Sequence, residues 1–227
     1  EIKDNFHFEK TFLLRDFLQK DIEFAKDADV LLCSVYCWNI EITKKLAEGV
    51  KKINPKCLII FGGPEVPDAD RHNGTFFQNS PYVDLLVHGE GEIVLHNILK
   101  NFIEGGDIEH INGTETKNIL NPPQDRMTDL NIIPSPWSSN LIWELVDKDP
   151  NLKYVVSWET NRGCPYSCRF CDWGSSTKTK IRNFSEEKLY KEIEWMGQNN
   201  IIYADCCDGN FGIFVDRDFR IAEKLTA

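Results

Sequence analysis

The stretch NRGCPYSCRFCDWG (161–174) sets Cys164, Cys168 and Cys171 at Cys-x3-Cys-x2-Cys spacing among glycines and aromatic residues. Three chemistries are open to cysteines so placed: disulfide pairing, a zinc site, or three corners of an iron–sulfur cluster. No secretory signal opens the chain, and its eight cysteines read as thiols or metal ligands more readily than as disulfides. A structural zinc site takes four ligands, and no histidine follows His110, so zinc would need Cys206 or Cys207 as its fourth. Three thiolates suit a [4Fe–4S] cluster in which one iron has no protein ligand and stays open to a chelating small molecule.

The elements that position these residues come from a chain of 227 residues, 41% hydrophobic and 11% aromatic, enough for packed cores. Its net charge of −10 argues against nucleic acid as a partner, because phosphate binding needs a basic surface. The longest apolar runs, such as CLIIF, are strand-length and far short of a bilayer span, so no membrane partner is expected and the compartment is read as cytoplasmic. DVLLCSV, CLIIFGG and DLLVHGEGE read as strands separated by helical periodicity, with Ile42, Leu46, Val50 and Ile53 marking one helix face. The order predicts an α/β fold, a doubly wound Rossmann-like parallel sheet over 1–104, with the first strand covered on both faces. Cys33 and Cys57 are expected in its core, as is Cys37, where a pocket wall is the other reading.

Residues 105–152 are rich in proline and read as a connector with one short helix near NLIWELV and with PSPW packed against the next domain. KYVVSWE then reads as a strand leading straight into the cysteine loop. FSEEKLYKEIEWMGQNN comes after it as a helix capped by Ser185, then the strand IIYA and a further helix. At roughly 31 residues per βα unit, residues 153–227 make two units and cannot close a barrel. With Glu1 in place of a methionine, the chain is expected to be truncated at both ends.

Ligands of open α/β sheets lie beyond the carboxyl ends of the strands. Those ends carry SVYCWN (34–39), GGPEVP (62–67) and HGEGE (88–92), loops whose glycines admit close backbone approach. Neither a G-x-G-x-x-G nor a P-loop lysine motif is present. GGPEVP and GEGE resemble the cobalamin-binding domain that precedes many radical S-adenosylmethionine (SAM) enzymes. The resemblance implies a corrin lying across these loops, against Ser34, Tyr36, Trp38, Asn39, Gly62, Gly63, Pro64, Glu65, Val66, Gly89, Glu90, Gly91 and Glu92. The D-x-H-x-x-G motif that gives cobalt a histidine is absent, so Trp38 or Tyr36 is expected on the lower face of the metal, or Trp38 simply covers the sheet.

The cysteine motif, with Phe170 before its last cysteine, resembles that of the radical SAM superfamily, and the wider WETNRGCPYSCRFCDWG resembles its cobalamin-dependent branch. This resemblance implies a partial TIM barrel over 153–227, a [4Fe–4S] cluster on Cys164, Cys168 and Cys171, and SAM chelated to the open iron. Phe170, Trp173 and Gly174 would lie by the adenosine moiety. Asp205 or Asp208, with Asn210, would stand where the family carries a Gly-Gly-Glu stretch for the SAM amino group. Lys180 and Arg182 are candidates for the SAM carboxylate or for a solvated loop, and no general acid or base is singled out. The implied reaction is C-methylation of an unactivated carbon, through a 5′-deoxyadenosyl radical and methylcobalamin. The substrate would be a small molecule or peptide, and the electron would come from a flavodoxin- or ferredoxin-type donor. Cyclisation, ring contraction or rearrangement is the alternative within the enzyme class, and a non-catalytic cobalamin- or metal-binding module the alternative outside it.

Overall fold

A computed structural model of the chain describes residues 3–9, 11, 18–67, 75–146, 148–171 and 179–226. They divide into two compact units, one of Glu1–His7 with Phe12–Arg126, the other of Phe8–Thr11 with Met127–Ala227. The division falls within the segment 105–152.

In the first unit Leu18–Ala25 (α1) precedes Val30–Ser34 (β1), Ile40–Ile53 (α2), Leu58–Gly62 (β2), Thr75–Asn79 (α3), Leu85–Val87 (β3), Gly91–Glu104 (α4) and Thr114–Glu115 (β4). Among the described residues the sheet runs β1-β2-β3-β4, parallel across the first three strands and antiparallel at β4. Alternation along the strands decides which layer each side chain joins. Leu31, Cys33, Ile59, Phe61 and Leu86 pack with Ile22 of α1, Leu46 and Val50 of α2 and Phe77 of α3. Leu58, Ile60, Leu85 and Val87 point the other way, onto Val94 and Ile98 of α4. Each such aliphatic or phenyl side chain contributes about 1.5–3 kcal/mol of burial, which is why LIIFG, covered on both faces, is apolar at consecutive positions.

Three expectations are corrected. The first strand is not covered on both faces: β1 lies at the sheet edge, and Leu32 is 41% exposed. Ile53 is exposed, because Ala47 shares the buried stripe of α2 with Leu46 and Val50. Cys37 stands exposed in the loop after β1 rather than in the core, whereas Cys33 and Cys57 are buried. At the opposite ends of the strands Asp84 accepts bonds from Ile59 N (2.8 Å) and Lys51 Nζ (2.7 Å), which ties α2 to the β2–β3 pair.

The second unit contains Leu141–Leu145 (α5), Tyr154–Trp158 (β5), Asn161–Arg162 (β6), Arg182–Asn183 (β7), Glu186–Gln198 (α6), Ile201–Cys206 (β8) and Val215–Thr226 (α7). Strands β5 and β8 are parallel neighbours joined through α6, a strand–loop–helix unit twice over when α7 is included. Ser185 Oγ accepts from Lys188 N (3.3 Å) and so caps α6, as its position predicts. The proline-rich segment is ordered by tryptophans. Trp137 and Trp143 lie 5.5 and 5.6 Å from Trp195 of α6, whose indole N–H donates to Asn140 Oδ1 (2.5 Å). Trp158 donates to the buried Glu192 Oε2 (2.7 Å), which supplies a partner to an acid on the buried face of α6. Among the described residues no helix is long and apolar enough to cross a membrane.

Candidate functional site

In the first unit the parallel strands bring three loops, two of them bearing glycines, to one end of the sheet. Ser34 and Gly62 are the last register pair of β1 and β2. Beyond them Val35 N donates to Gly62 O (2.7 Å) and Glu65 N to Val35 O (3.2 Å), which lock the first two loops together, and Val66 N donates to Gly63 O (3.1 Å) within the second. Gly63 has φ +105°, and a Cβ there would fall 2.7 Å from Val35 O, so the approach requires glycine. Pro64 and Glu65 are exposed and Val66 is buried beneath them.

Asn39 organises the loop after β1, accepting from Tyr36 N (2.7 Å) and donating to Ser34 O (2.9 Å). Tyr36 and Trp38 stack at 4.6 Å with 14° between their planes, and Trp38 is 59% exposed. This is a flat aromatic surface held by a short polar clamp. In the third loop Gly89 has positive φ with open space where a Cβ would be, Glu90 precedes α4, and Gly91 and Glu92 form its first turn.

At the base of that third loop His88 Nε2 lies 3.1 Å from Glu115 Oε2, and His88 N donates to Gly113 O (2.8 Å). Glu115 is 3% exposed, and burial pushes its carboxyl up to about 7. A carboxyl that holds its proton more tightly folded than unfolded stabilises below its unfolded value of 4.5, and the contribution is lost as pH rises toward 7. The wild-type protein is therefore expected to lose about 2 kcal/mol between pH 5 and 7 through this group. Glu115→Gln should flatten that slope in thermal unfolding followed against pH. A slope equally steep in the variant would assign the pH dependence elsewhere.

In the second unit β6 and β7 close the neck of the cysteine loop. Asn161 pairs with Asn183 and Arg162 with Arg182, and Thr179 N donates to Cys164 O (2.8 Å). Gly163 has φ +109°, and a Cβ on it would stand 2.6 Å from Lys180 O, so again only glycine lets the two sides of the neck meet. Cys164 is half-buried at the neck, while Cys168 and Cys171 are exposed and joined by a turn from Cys171 N to Cys168 O (3.2 Å). Phe170 is 93% exposed. Trp173 and Gly174 lie outside the described residues. Among the described residues no three metal-ligating side chains converge as a ready-made single-ion site would require. The loop carries three free thiols, the innermost already paired with an N–H donor, a donor set of the kind that iron–sulfur clusters use.

That donor is Asn210, whose Nδ2 stands 3.0 Å from Cys164 Sγ. Asp205 lies exposed near the end of β8, in register with Ser157 of β5. Asp208 is turned inward. Its carboxylate accepts from Thr160 N (2.6 Å), from the Thr160 hydroxyl, from Asn161 N (3.1 Å) and from Asn161 Nδ2 (2.7 Å). Arg182 Nη1 donates to Met127 O (2.7 Å). Cys206 and Cys207 are exposed, and Cys207 N continues the strand pairing by donating to Trp158 O (2.8 Å).

Sequence reasoning missed four residues that set this geometry: Thr160, Asn161, Arg217 and Asp218, all buried. Arg217 Nη2 donates to Thr160 O (2.6 Å) and its Nη1 to Asp218 Oδ1 (2.5 Å). Asp218 Oδ2 in turn accepts from Gly212 N (2.8 Å) and Phe214 N (3.2 Å). The available signal was the acidic start of α7, in VDRD, which suits unpaired N–H groups just ahead of a helix.

Comparison with known proteins agrees across both units. No family model matches the chain. The chain is 37% identical over 97% of its length to the cobalamin-dependent radical SAM methyltransferase TokK of Streptomyces tokunonensis. It is 38% identical over the same share to the 2-(S-pantetheinyl)-carbapenam-3-carboxylate methyltransferase of Streptantibioticus cattleyicolor. It spans about a third, 33%, of the length of each of these curated relatives. In fold it is similar to the cobalamin-dependent SAM radical enzyme OxsB, solved with aqua-cobalamin and SAM bound. The TM-score is 0.71 at 20% identity, over 92% of this chain and 30% of that one.

Proposed function

We propose that this stretch of chain is part of a cobalamin-dependent radical SAM C-methyltransferase acting on a small molecule, a reading supported by its 37% and 38% identity to two methyltransferases and by its likeness in fold to OxsB. The observation that carries the reading is the loop of three free thiols set directly after β5 and β6, on the same chain as the glycine-locked loops of the first unit. The relatives named as methyltransferases support methyl transfer over rearrangement. When bound, the cluster and cobalamin supply an electron for splitting SAM and a transferable methyl group.

The chain's own residues do the holding. Cys164, Cys168 and Cys171 supply the thiolates for a [4Fe–4S] cluster, and their neck is set by Gly163 and the β6–β7 pair. Phe170, exposed beside the last cysteine, offers its ring and backbone to the adenine of SAM, in the segment that continues to Trp173 and Gly174. Asp205 takes the SAM amino group, because both oxygens of Asp208 are already engaged by Thr160 and Asn161. In the first unit Gly62–Val66 and Gly89–Glu92 present backbone, and the Tyr36–Trp38 stack presents a flat apolar face that suits a corrin. A flavodoxin- or ferredoxin-type electron donor and a cytoplasmic location complete the proposal.

The test is anaerobic purification of the full-length protein with reconstituted iron and added hydroxocobalamin, read by iron analysis and visible spectrum. About four irons per chain, with corrin absorption surviving gel filtration, is the expected result. Iron without corrin would remove methylcobalamin and the methyl transfer built on it. Zinc in place of iron would overturn the reading.

A further inference from the structure

Among the described residues, Asn210 is the polar side chain that the β8–α7 loop delivers to a cysteine of the motif, and hydrogen bonds on both sides hold the loop there. On one side, Cys207 N is fixed to Trp158 O and the Asp208 carboxylate grips the backbone N–H groups of Thr160 and Asn161, just ahead of Cys164 in the chain. On the other, Asp218 accepts from Gly212 N and Phe214 N, and Arg217 bridges Asp218 to Thr160 O. Thr160 and Asn161 are 0% and 1% exposed, so these bonds are shielded from water. The segment from Asp208 to Asn210 thus ties the start of the cysteine loop to its own position and aims an amide N–H at Cys164 Sγ, 3.0 Å away.

We propose that Asn210 is a positioning residue that raises the reduction potential of the cluster by donating an N–H···S bond to Cys164. The inference rests on the cluster assignment above and goes beyond it. A cysteine bound to iron is a thiolate with no proton to give, so the amide must turn its NH2 end, not its carbonyl, toward the sulfur. Reduction adds negative charge that spreads onto the sulfur ligands. A donor fixed beside one sulfur therefore stabilises the reduced cluster more than the oxidised one, and hydrogen bonds to sulfur are among the determinants of cluster potential. The bond is half-buried and rigidly held, which strengthens it relative to one made in water.

The experiment is a reductive titration of the reconstituted full-length protein, followed by electron paramagnetic resonance, for wild type, Asn210→Ala, Asn210→Asp and Asn210→Gln. Iron is counted first in each. With full iron, Asn210→Ala is expected to titrate at a more negative potential. At the wild-type midpoint its reduced-to-oxidised ratio should be down by up to about tenfold, or about 59 mV for one electron. Asn210→Asp, which replaces the donor by an anionic oxygen, should move further in the same direction, and Asn210→Gln, which keeps the donor, should recover part of the shift. Full iron with an unchanged midpoint in all variants would overturn the inference and leave the cluster assignment standing. Loss of iron in every variant would overturn it too, because Asn210 would then hold the loop together without setting its potential. Absence of iron from the wild-type protein would defeat the cluster assignment itself.

Discussion

Cys164→Ala is expected to take bound iron from about four atoms per chain to less than one and to bring SAM cleavage below detection, while the protein stays folded. Cys164 is the half-buried thiol at the neck, beside Asn210, and the loop's remaining candidates, Cys168 and Cys171, are exposed. Two thiolates cannot anchor three irons, and the exposed pair lacks a protected neighbour to replace the lost ligand. Folding should survive, because the neck is held by bonds that do not use the thiol: β6 to β7, Thr179 N to Cys164 O, and Asp208 to Thr160 and Asn161. Iron analysis and circular dichroism on the same anaerobic preparation check both halves. Full iron in the variant would remove Cys164 from the ligand set; an unfolded variant would make the loop structural instead.

Arg217→Ala should destabilise the second unit by about 3–5 kcal/mol, the range found when one partner of a buried ion pair is removed. Arg217 and Asp218 are both buried, so truncation leaves Asp218 Oδ1 without its cation, while Asp218 Oδ2 keeps Gly212 N and Phe214 N and Thr160 O keeps Phe184 N. Most of the loss is the cost of a buried carboxylate left without its cation, rather than the net worth of the pair. Because Asp218 also holds Gly212 N and Phe214 N, the β8–α7 loop should loosen, and the reconstituted cluster should be lost faster to a chelator. Urea unfolding of wild type and variant gives the energy directly. A midpoint displaced by less than about 1 kcal/mol, the usual value of an exposed pair, would mean that water reaches this network.

By contrast, exposed pairs such as Lys191–Glu187 on α6 and Lys224–Glu194 between α7 and α6 are expected to add little, since both partners face solvent. The two units therefore differ in what holds their loops. Both rely on backbone closeness, at Gly63 and at Gly163, and the second adds a buried polar network that a few side chains supply.

The sequence by itself determined the parts whose signal is local. The spacing of Cys164, Cys168 and Cys171 marks their loop as a candidate ligand set, because ligand type and interval are properties of a short segment. The strands β1, β2, β3, β5 and β8 and the helices α2, α4, α6 and α7 are legible from apolar periodicity, and α6 also from Ser185 at its start. Helix α1 went unread, and the two-residue strands β4, β6 and β7 carry too few residues for any period to show. Tertiary structure alone decided which side of each segment meets water: β1 is an edge strand, Cys37 is exposed, and Ala47 rather than Ile53 completes the buried stripe of α2. It also decided which acid faces inward. Asp205 and Asp208 stand three residues apart in one short segment, and nothing local says which of them will turn back on a strand end 48 residues earlier. That choice comes from β8 pairing beside β5, which brings Thr160, Asn161 and Cys164 within reach of Asp208 and Asn210. Hydrogen-bond partners distant in sequence are fixed by strand register, and register is a property of the packed sheet.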